Sequence, residues 1–463
     1  MIKCLFQVSI VQLKLPLVVV SLVVGVLLLA PGDCRPQQLS RSPAIEEVVL
    51  DNGCRVLFQL NNSAPTVAIS ALVKVRASQE TRLTAGIRQL LALIAAAPDP
   101  WPEQIGACPP SLRLAASANR DGVALRVECL PQDLNGALLL MRHQLFEAQI
   151  SRENFERARH QLSRTIQTNR QLPLPVAFDT VVKELYPQQA GSWPVTGSLA
   201  SMSAISLEQA RQFYGDHFRP NVTVISISGN VTVAALKAET EKLFGELLPG
   251  PEYRGERFTP HPKIGEPYRL MMRGLDKSAV VMAGRAPAIG DQQYPAAVVL
   301  GALLGSGMGS RLFQSLRAER SLAYTTGAAL TPSVVCSYSH VLATCSRSNI
   351  EAMRTEIIRQ LADISNNSPT QPELERAKRF AINSFLLSQQ RNRDVAHYLG
   401  VFSSSDPAKG LHTYRHFSQL ITEVTGEQVR NCCAQIFRKP ATVIIEAVSE
   451  PQSVANVPID SGS

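Results

Sequence analysis

His412 and His416, in HTYRH (412–416), stand one helical turn apart, the spacing at which two imidazoles can face one metal ion. No acidic or cysteine partner is apparent nearby, so the pair reads as surface. GSGMGS (305–310) has the glycines of a phosphate loop but lacks its Lys-Ser/Thr ending and sits between apolar helices. A Gly-rich segment lining a peptide chamber and a plain helix-to-helix turn both fit it. LRAERSLAY (316–324) offers Arg317 and Tyr324, a guanidinium and a phenol seven residues apart. Such a pair can hydrogen-bond a peptide carbonyl and favour the negative charge that develops when water attacks it. On spacing alone, however, the two are a solvated helix residue and a half-buried strand residue. Arg157, His160 and Arg164 form a basic helical stripe, which is either a solvated face or one that meets an acidic partner or peptide.

These groups need elements to position them. At 463 residues the chain exceeds one ordinary core, since domains hold about 100 to 200 residues, and two or more domains are expected. Hydrophobic residues at 45% and charged residues at 18% suit a globular protein and exclude a disordered one. The net charge of +8 is dispersed, with no run of five or six basic residues, which argues against a nucleic-acid partner.

In the first 32 residues the only charges are Lys3 and Lys14, and residues 15–30 are an unbroken apolar stretch. This is an export segment, read as a cleaved signal peptide or an uncleaved N-terminal membrane anchor, and it places the chain outside the cytoplasm: periplasmic, extracytoplasmic or membrane-anchored. No C-x-x-C or metal-spaced Cys/His pairing occurs. Cys54, Cys129, Cys336 and Cys345 lie in strand-like apolar stretches, where cysteine behaves as a small buried hydrophobe. A disulfide, if present, cannot be assigned from spacing.

Two stretches repeat at one offset. EQARQFYGDHFRPNVTVI (208–225) matches EQVRNCCAQIFRKPATVI (427–444) without a gap, and FERAR (155–159) matches LERAK (374–378), both 219 residues apart. A period this long implies duplicated domains rather than a solenoid. Within the first half, Asn52-Gly53 between EEVVL and CRVLFQL signals a hairpin, and Arg120-Asp121-Gly122 joins two further strands. Helices dominate 131–218, then come a strand at NVTVISIS and a helix at 232–247. The second half repeats the plan, with strands near 268–285 and 322–346 and a closing strand at ATVIIEAV. The fold class is α+β: two homologous domains, each a mostly antiparallel sheet with packed helices. The expected boundaries are 44–248 and 268–450, a linker at 249–267 and a flexible tail at 451–463.

LDNGCRV (50–56), SAPTVAI (63–69), GIRQLLALI (86–94), SGMGSRLFQSLRAERSLAY (306–324) and HFRPNVTVISISGNV (217–231) together resemble the pitrilysin/insulinase family of zinc peptidases, peptidase family M16, especially its processing-peptidase-like members. The resemblance covers about residues 45 to 450 and implies the duplicated LuxS/MPP-like metallopeptidase fold. Active members carry H-x-x-E-H on the helix after the third strand, two histidines for zinc and a glutamate for the attacking water. With Gly86 setting the register, Gln89, Ala92 and Leu93 stand at those three positions. Gln is a poor zinc ligand, and Ala and Leu offer no donor atom. The family's last ligand is a glutamate on a later helix, about where residues 157–171 lie, yet no carboxylate occurs from Arg157 to Phe178.

The resemblance therefore implies no catalytic residue, no metal ligand and no cofactor in this chain. In the family, an Arg and a Tyr seven apart in the C-terminal half hold substrate, which gives Arg317 and Tyr324 a substrate-binding role. The expected function is a non-catalytic, pseudo-peptidase subunit that binds peptide and completes the active site of a zinc-containing M16 partner in a heterodimer. The alternatives are a structural or assembly protein derived from an M16 peptidase, held at a membrane by residues 15–30, and a stand-alone peptide-binding protein.

Overall fold

The computed structural model describes residues 44–62, 64–98, 101, 106, 108–251 and 266–448. The export segment, most of the 249–267 linker and the 451–463 tail lie outside the described residues. The first half runs β1 (Ile45–Val49), β2 (Arg55–Leu60), β3 (Val67–Val73), α1 (Ile87–Ala95), β4 (Arg113–Ala118), β5 (Val123–Cys129), α2 (Leu134–Arg142), α3 (Arg152–Asn169), α4 (Pro173–Leu185), α5 (Leu199–Ala204), α6 (Leu207–His217), β6 (Thr223–Gly229) and α7 (Val233–Phe244). The second runs β7 (Tyr268–Arg273), β8 (Ser278–Arg285), α8 (Tyr294–Gly305), β9 (Thr325–Thr331), β10 (Tyr338–Cys345), α9 (Ile350–Asn366), α10 (Gln371–Ser388), α11 (Asn392–Ser405), α12 (Pro407–Arg415), α13 (Phe417–Thr422), α14 (Gly426–Ile436) and β11 (Ala441–Val448).

The 219-residue register found in the sequence is the register of the fold. Shifting α3, α4 and α6 by 219 gives the first residues of α10, α11 and α14. The matched starts have one physical cause: Ser206 with Gln209, and Thr425 with Gln428, close the same capping box around the first amides of α6 and α14.

The strands form two sheets, ordered β1-β2-β6-β3-β5-β4 and β7-β11-β8-β10-β9. Each has one parallel pair, β2 with β6 and β7 with β11, and is otherwise antiparallel. The Asn52-Gly53 turn forms as expected, with Gly53 at φ +82°. The Asn52 side chain then caps the exit of α7 by donating to the carbonyls of Phe244 and Leu247 at 2.6 and 3.0 Å.

The halves exchange one helix each. α4, from the first half, packs on β8 and β11 of the second sheet, while α11 packs on β3 and β6 of the first. Ala177, Val181, Val182 and Leu185 thus share a core with Ala279, Val281, Val443 and Ile445. In return, Ser226 donates to the carbonyl of Ala396 at 2.6 Å, and Asn392 donates to that of Thr66 at 2.6 Å. Burying both helices against the opposite sheet makes the two halves one packing unit across the described residues from 44 to 448.

The tips of the equivalent hairpins also meet. Asp121, in the β4–β5 turn, accepts from the Ser333 hydroxyl at 2.7 Å and from the amides of Val334 and Val335 at 3.0 and 3.3 Å, in the β9–β10 turn. Cys54, Cys129, Cys336 and Cys345 are buried free thiols, and the seven described cysteines include no disulfide.

Candidate functional site

α1 begins at Gly86, whose φ of +93° and close approach to the backbone of Thr196 and Gly197 exclude a side chain: an added Cβ would lie 2.6 Å from the Thr196 carbonyl oxygen. From there the helix packs against α3, β4 and β5. Leu90, Leu91, Ala92 and Ile94 are buried, while Gln89 and Leu93, four residues apart, share a half-buried face. The Gln89 Oε1 accepts from the Ala118 amide at 2.9 Å, at the end of edge strand β4. One of the three positions that the resemblance aligns with the zinc motif is therefore engaged with backbone, and Ala92 is fully buried among apolar side chains.

The residue between Ile87 and Gln89 was not singled out by the sequence reading. Arg88 is 1% exposed, and its Nε donates to the equally buried Glu80 at 3.0 Å. Its Nη1 donates to the carbonyls of Val75, at 3.2 Å, and Asn119. A buried guanidinium requires this full complement of acceptors, so the pair fixes α1 to the segment after β3 and to the β4–β5 turn. Its signal in the sequence was the single charge in a helix that is otherwise aliphatic apart from Gln89.

α3 turns Asn154, Phe155, Ala158, Leu162 and Ile166 inward. Asn154 donates to the Ala97 carbonyl at 3.1 Å and so ties α3 to the exit of α1. Arg157, His160 and Arg164 are exposed, which fits a solvated face and a partner-facing one alike. Glu156, the carboxylate just before them, is paired with Arg159 at 2.6 Å. The residues around α1 and α3 do not fit a zinc ion: Gln89, Ala92 and Leu93 supply neither imidazole nor carboxylate. Among the described residues no group of three or more His, Cys, Asp or Glu side chains is placed to hold a metal. The His412 and His416 rings lie tilted at 40° to each other with centroids 4.5 Å apart, both exposed.

In the second half, α8 ends against the edge strand β9. Gly305 lies so close that an added Cβ would stand 1.9 Å from the Ala328 nitrogen. GSGMGS is then a turn, Gly307 at φ +76°, leading into a π-helical segment at Phe313–Glu319. The chain reverses at Ser321, φ +51°, where the amides of Leu322 and Ala323 both return to the Leu316 carbonyl at 2.7 and 3.2 Å. Such π segments and positive-φ residues concentrate where a side chain must be re-aimed.

The reversal presents both sequence-singled residues. Arg317 is exposed, its guanidinium over the Phe313 ring at 5.3 Å. Tyr324 is 49% exposed, with the Lys277 ammonium 5.2 Å from its ring centroid. The Tyr324 amide donates to Thr344 at 2.8 Å, so the residue leads directly into β9, which has a strand partner on one side. Behind β9 lies a cavity of about 460 Å³, lined by Ser306, Ala328, Leu330, Phe380, Tyr398 and Phe402 among others.

With this geometry established, similarity to known proteins is informative. Residues 204–380 match the family profile described as "Peptidase M16 inactive domain". An uncharacterized zinc protease of Bacillus subtilis is 21% identical over 357 residues, covering 74% of this chain and 84% of that protein. One from Mycobacterium leprae is 27% identical over 268 residues, covering 56% of this chain and 59% of its own length. Among solved structures, a protease from Helicobacter pylori superposes with a TM-score of 0.77 at 18% identity, covering 87% of this chain and 99% of that one. A peptidase M16 inactive domain from Pseudomonas fluorescens does so with a TM-score of 0.76 at 20% identity, covering 88% and 100%. At these identities the structures show the fold.

Proposed function

The chain is a relative of the M16 peptidases, and on that premise we propose that it is a non-catalytic subunit that binds peptide and completes the active site of a separate, zinc-bearing M16 chain. The observation that carries this reading is the asymmetry between the halves. In the first, the motif helix has been turned to packing, with Gln89 bonded to Ala118 and Ala92 sealed in the core. In the second, Arg317 and Tyr324 stay exposed beside an edge strand.

That second arrangement suits an extended peptide. An unpaired strand edge adds a peptide through main-chain hydrogen bonds. In this reading the Tyr324 phenol, just before β9, and the Arg317 guanidinium, on the π-helical segment that precedes it, donate to a carbonyl of that peptide. Arg317 donates through its guanidinium, and Tyr324 through its hydroxyl. Zinc and the water-activating carboxylate come from the partner in this reading, and the apolar 15–30 segment places the pair outside the cytoplasm.

The test is reconstitution. The chain alone, purified, should contain no stoichiometric zinc and cleave no peptide. Mixed with an M16 chain carrying an intact H-x-x-E-H from the same source, it should yield an active pair, and Arg317→Ala or Tyr324→Phe should lower kcat/KM by about 10²-fold or more. An active pair indifferent to both changes overturns the substrate role. Failure to associate overturns the heterodimer and favours the structural-subunit alternative.

A further inference from the structure

The duplication leaves one position filled in the first half and open in the second. β2 lies parallel to β6 with Arg55 opposite Val224, and β7 lies parallel to β11 with Tyr268 opposite Val443, which is Val224 shifted by 219. On the outer side of β2 the first half adds β1, and α7 packs across β2 and α2. Among the described residues the second sheet has no counterpart of either.

The side chains that hold α7 have equivalents that hold nothing described. In the first half, Arg142 donates to the Leu243 carbonyl at 2.9 Å, Phe146 meets Phe244 edge-on at 6.3 Å, and Asn221 exchanges two 2.9 Å hydrogen bonds with Gly250. Aligning the starts of α2 and α9, Leu134 and Ile350, brings Arg142 onto Ile358 and Phe146 onto Ala362. The 219-residue repeat brings Phe218, Arg219 and Asn221 onto Phe437, Arg438 and Pro440. These five second-half residues line one cavity of about 560 Å³. Where the first half buries Phe244 completely, the second exposes Ile358 to 43%. Beyond the cavity, Met271 of β7 is 67% exposed.

The rim is basic. Arg354 also lines the cavity; its Nη1 pairs with Glu351 at 3.5 Å while its Nε is buried without a hydrogen-bond partner, and Arg438 and Lys439 are exposed. α7 itself shows what fills such a place: an amphipathic helix that buries Leu236, Leu243 and Phe244 and turns Glu241 outward. We propose that the groove between α9 and the end of α14 is a docking site for an amphipathic helix of a partner protein, one ending in an aromatic or aliphatic anchor and carrying acidic side chains toward Arg354 and Arg438. This is the helix-in-groove mode, with the anchor in the cavity and charge complementarity at the rim.

A fluorescein-labelled peptide of this chain's own residues 231–250, α7 and its exit, is the probe, because its equivalents match the groove. Added to the full-length chain, it should bind saturably by fluorescence anisotropy. Ile358→Asp should weaken binding at least about tenfold and Arg438→Glu several-fold, while Ile358→Leu retains it. Ile358 is exposed, so these variants keep the fold, which an unchanged melting curve verifies. A benzoyl-phenylalanine at position 358 then reports the occupant by photo-crosslinking. Adducts with the peptide support the proposal. Absent binding, indifference to Ile358→Asp, or a crosslink instead to residues 449–463 or to a second copy of the chain overturns it.

Discussion

The Gln89 side chain accepts the amide hydrogen of Ala118, so a position that would need an imidazole for zinc instead ends the edge strand β4. The bond makes α1 a brace. Restoring the motif with Gln89→His, Ala92→Glu and Leu93→His should therefore not restore a site. The new carboxylate at 92 would enter a fully buried apolar setting, and α3 would still offer no glutamate from Arg157 onward. We expect no stoichiometric zinc by elemental analysis, no peptide cleavage, and a loss of about 3 kcal/mol or more in urea unfolding from the uncompensated buried charge. Zinc uptake with cleavage would show that a ligand had been missed on the later helix.

Beside that bond, Arg88 and Glu80 form an ion pair with both side chains 1% exposed. Removing one partner strands the other, which costs about 3–5 kcal/mol, far more than a surface pair. Glu80→Gln and Arg88→Ala should each fall in that range by chemical denaturation. The double variant Glu80→Gln/Arg88→Met, matched in volume, should recover most of the loss. Recovery distinguishes a stranded charge from a missing contact.

Much of this was legible in the sequence because it is local. The Asn52-Gly53 turn and the 219-residue register lie in short stretches and formed as expected, and the capping boxes at Ser206 and Thr425, though not singled out beforehand, are equally local. The zinc-motif substitutions were equally visible at Gln89, Ala92 and Leu93. What the repeat could not convey was where equivalent helices go. α4 and α11 hold equivalent places in the repeat, yet each lies on the other's sheet, because the repeat fixes the element and tertiary packing fixes the neighbour. Partners far apart in the chain were hidden for the same reason: Gln89 with Ala118, Arg88 with Asn119, Asp121 with Ser333.

Asp121 shows what such a long-range contact does. Its carboxylate receives three hydrogen bonds from the β9–β10 turn, so removing it leaves the Val334 and Val335 amides and the Ser333 hydroxyl without that acceptor. Asp121→Ala should cost about 2–4 kcal/mol. Hydrogen exchange should rise at 333–336 and along β9 while the amides of α1 stay protected. Because β9 follows Tyr324 directly, the same variant should also lower peptide affinity if the strand edge must be held rigid.

The last prediction concerns pH. His340, in β10, is 8% exposed beneath the edge of the Phe178 ring at 4.8 Å, and its Nδ1 has no hydrogen-bond partner. Burial pushes its pKa down to about 4, from 6.5. The folded protein then holds fewer protons than the unfolded chain at any pH between the two values. Stability from this group is complete above pH 6.5 and is lost progressively as pH falls toward 4, about 3 kcal/mol in all. Replacing His340 with Phe removes the titrating group while keeping the ring against Phe178. Urea unfolding at pH 7 and pH 5 should show the wild type losing more stability than His340→Phe over that interval. Equal losses would place the acid sensitivity elsewhere, with His397 next in line, since burial and the nearby Arg126 lower its pKa to about 4 as well.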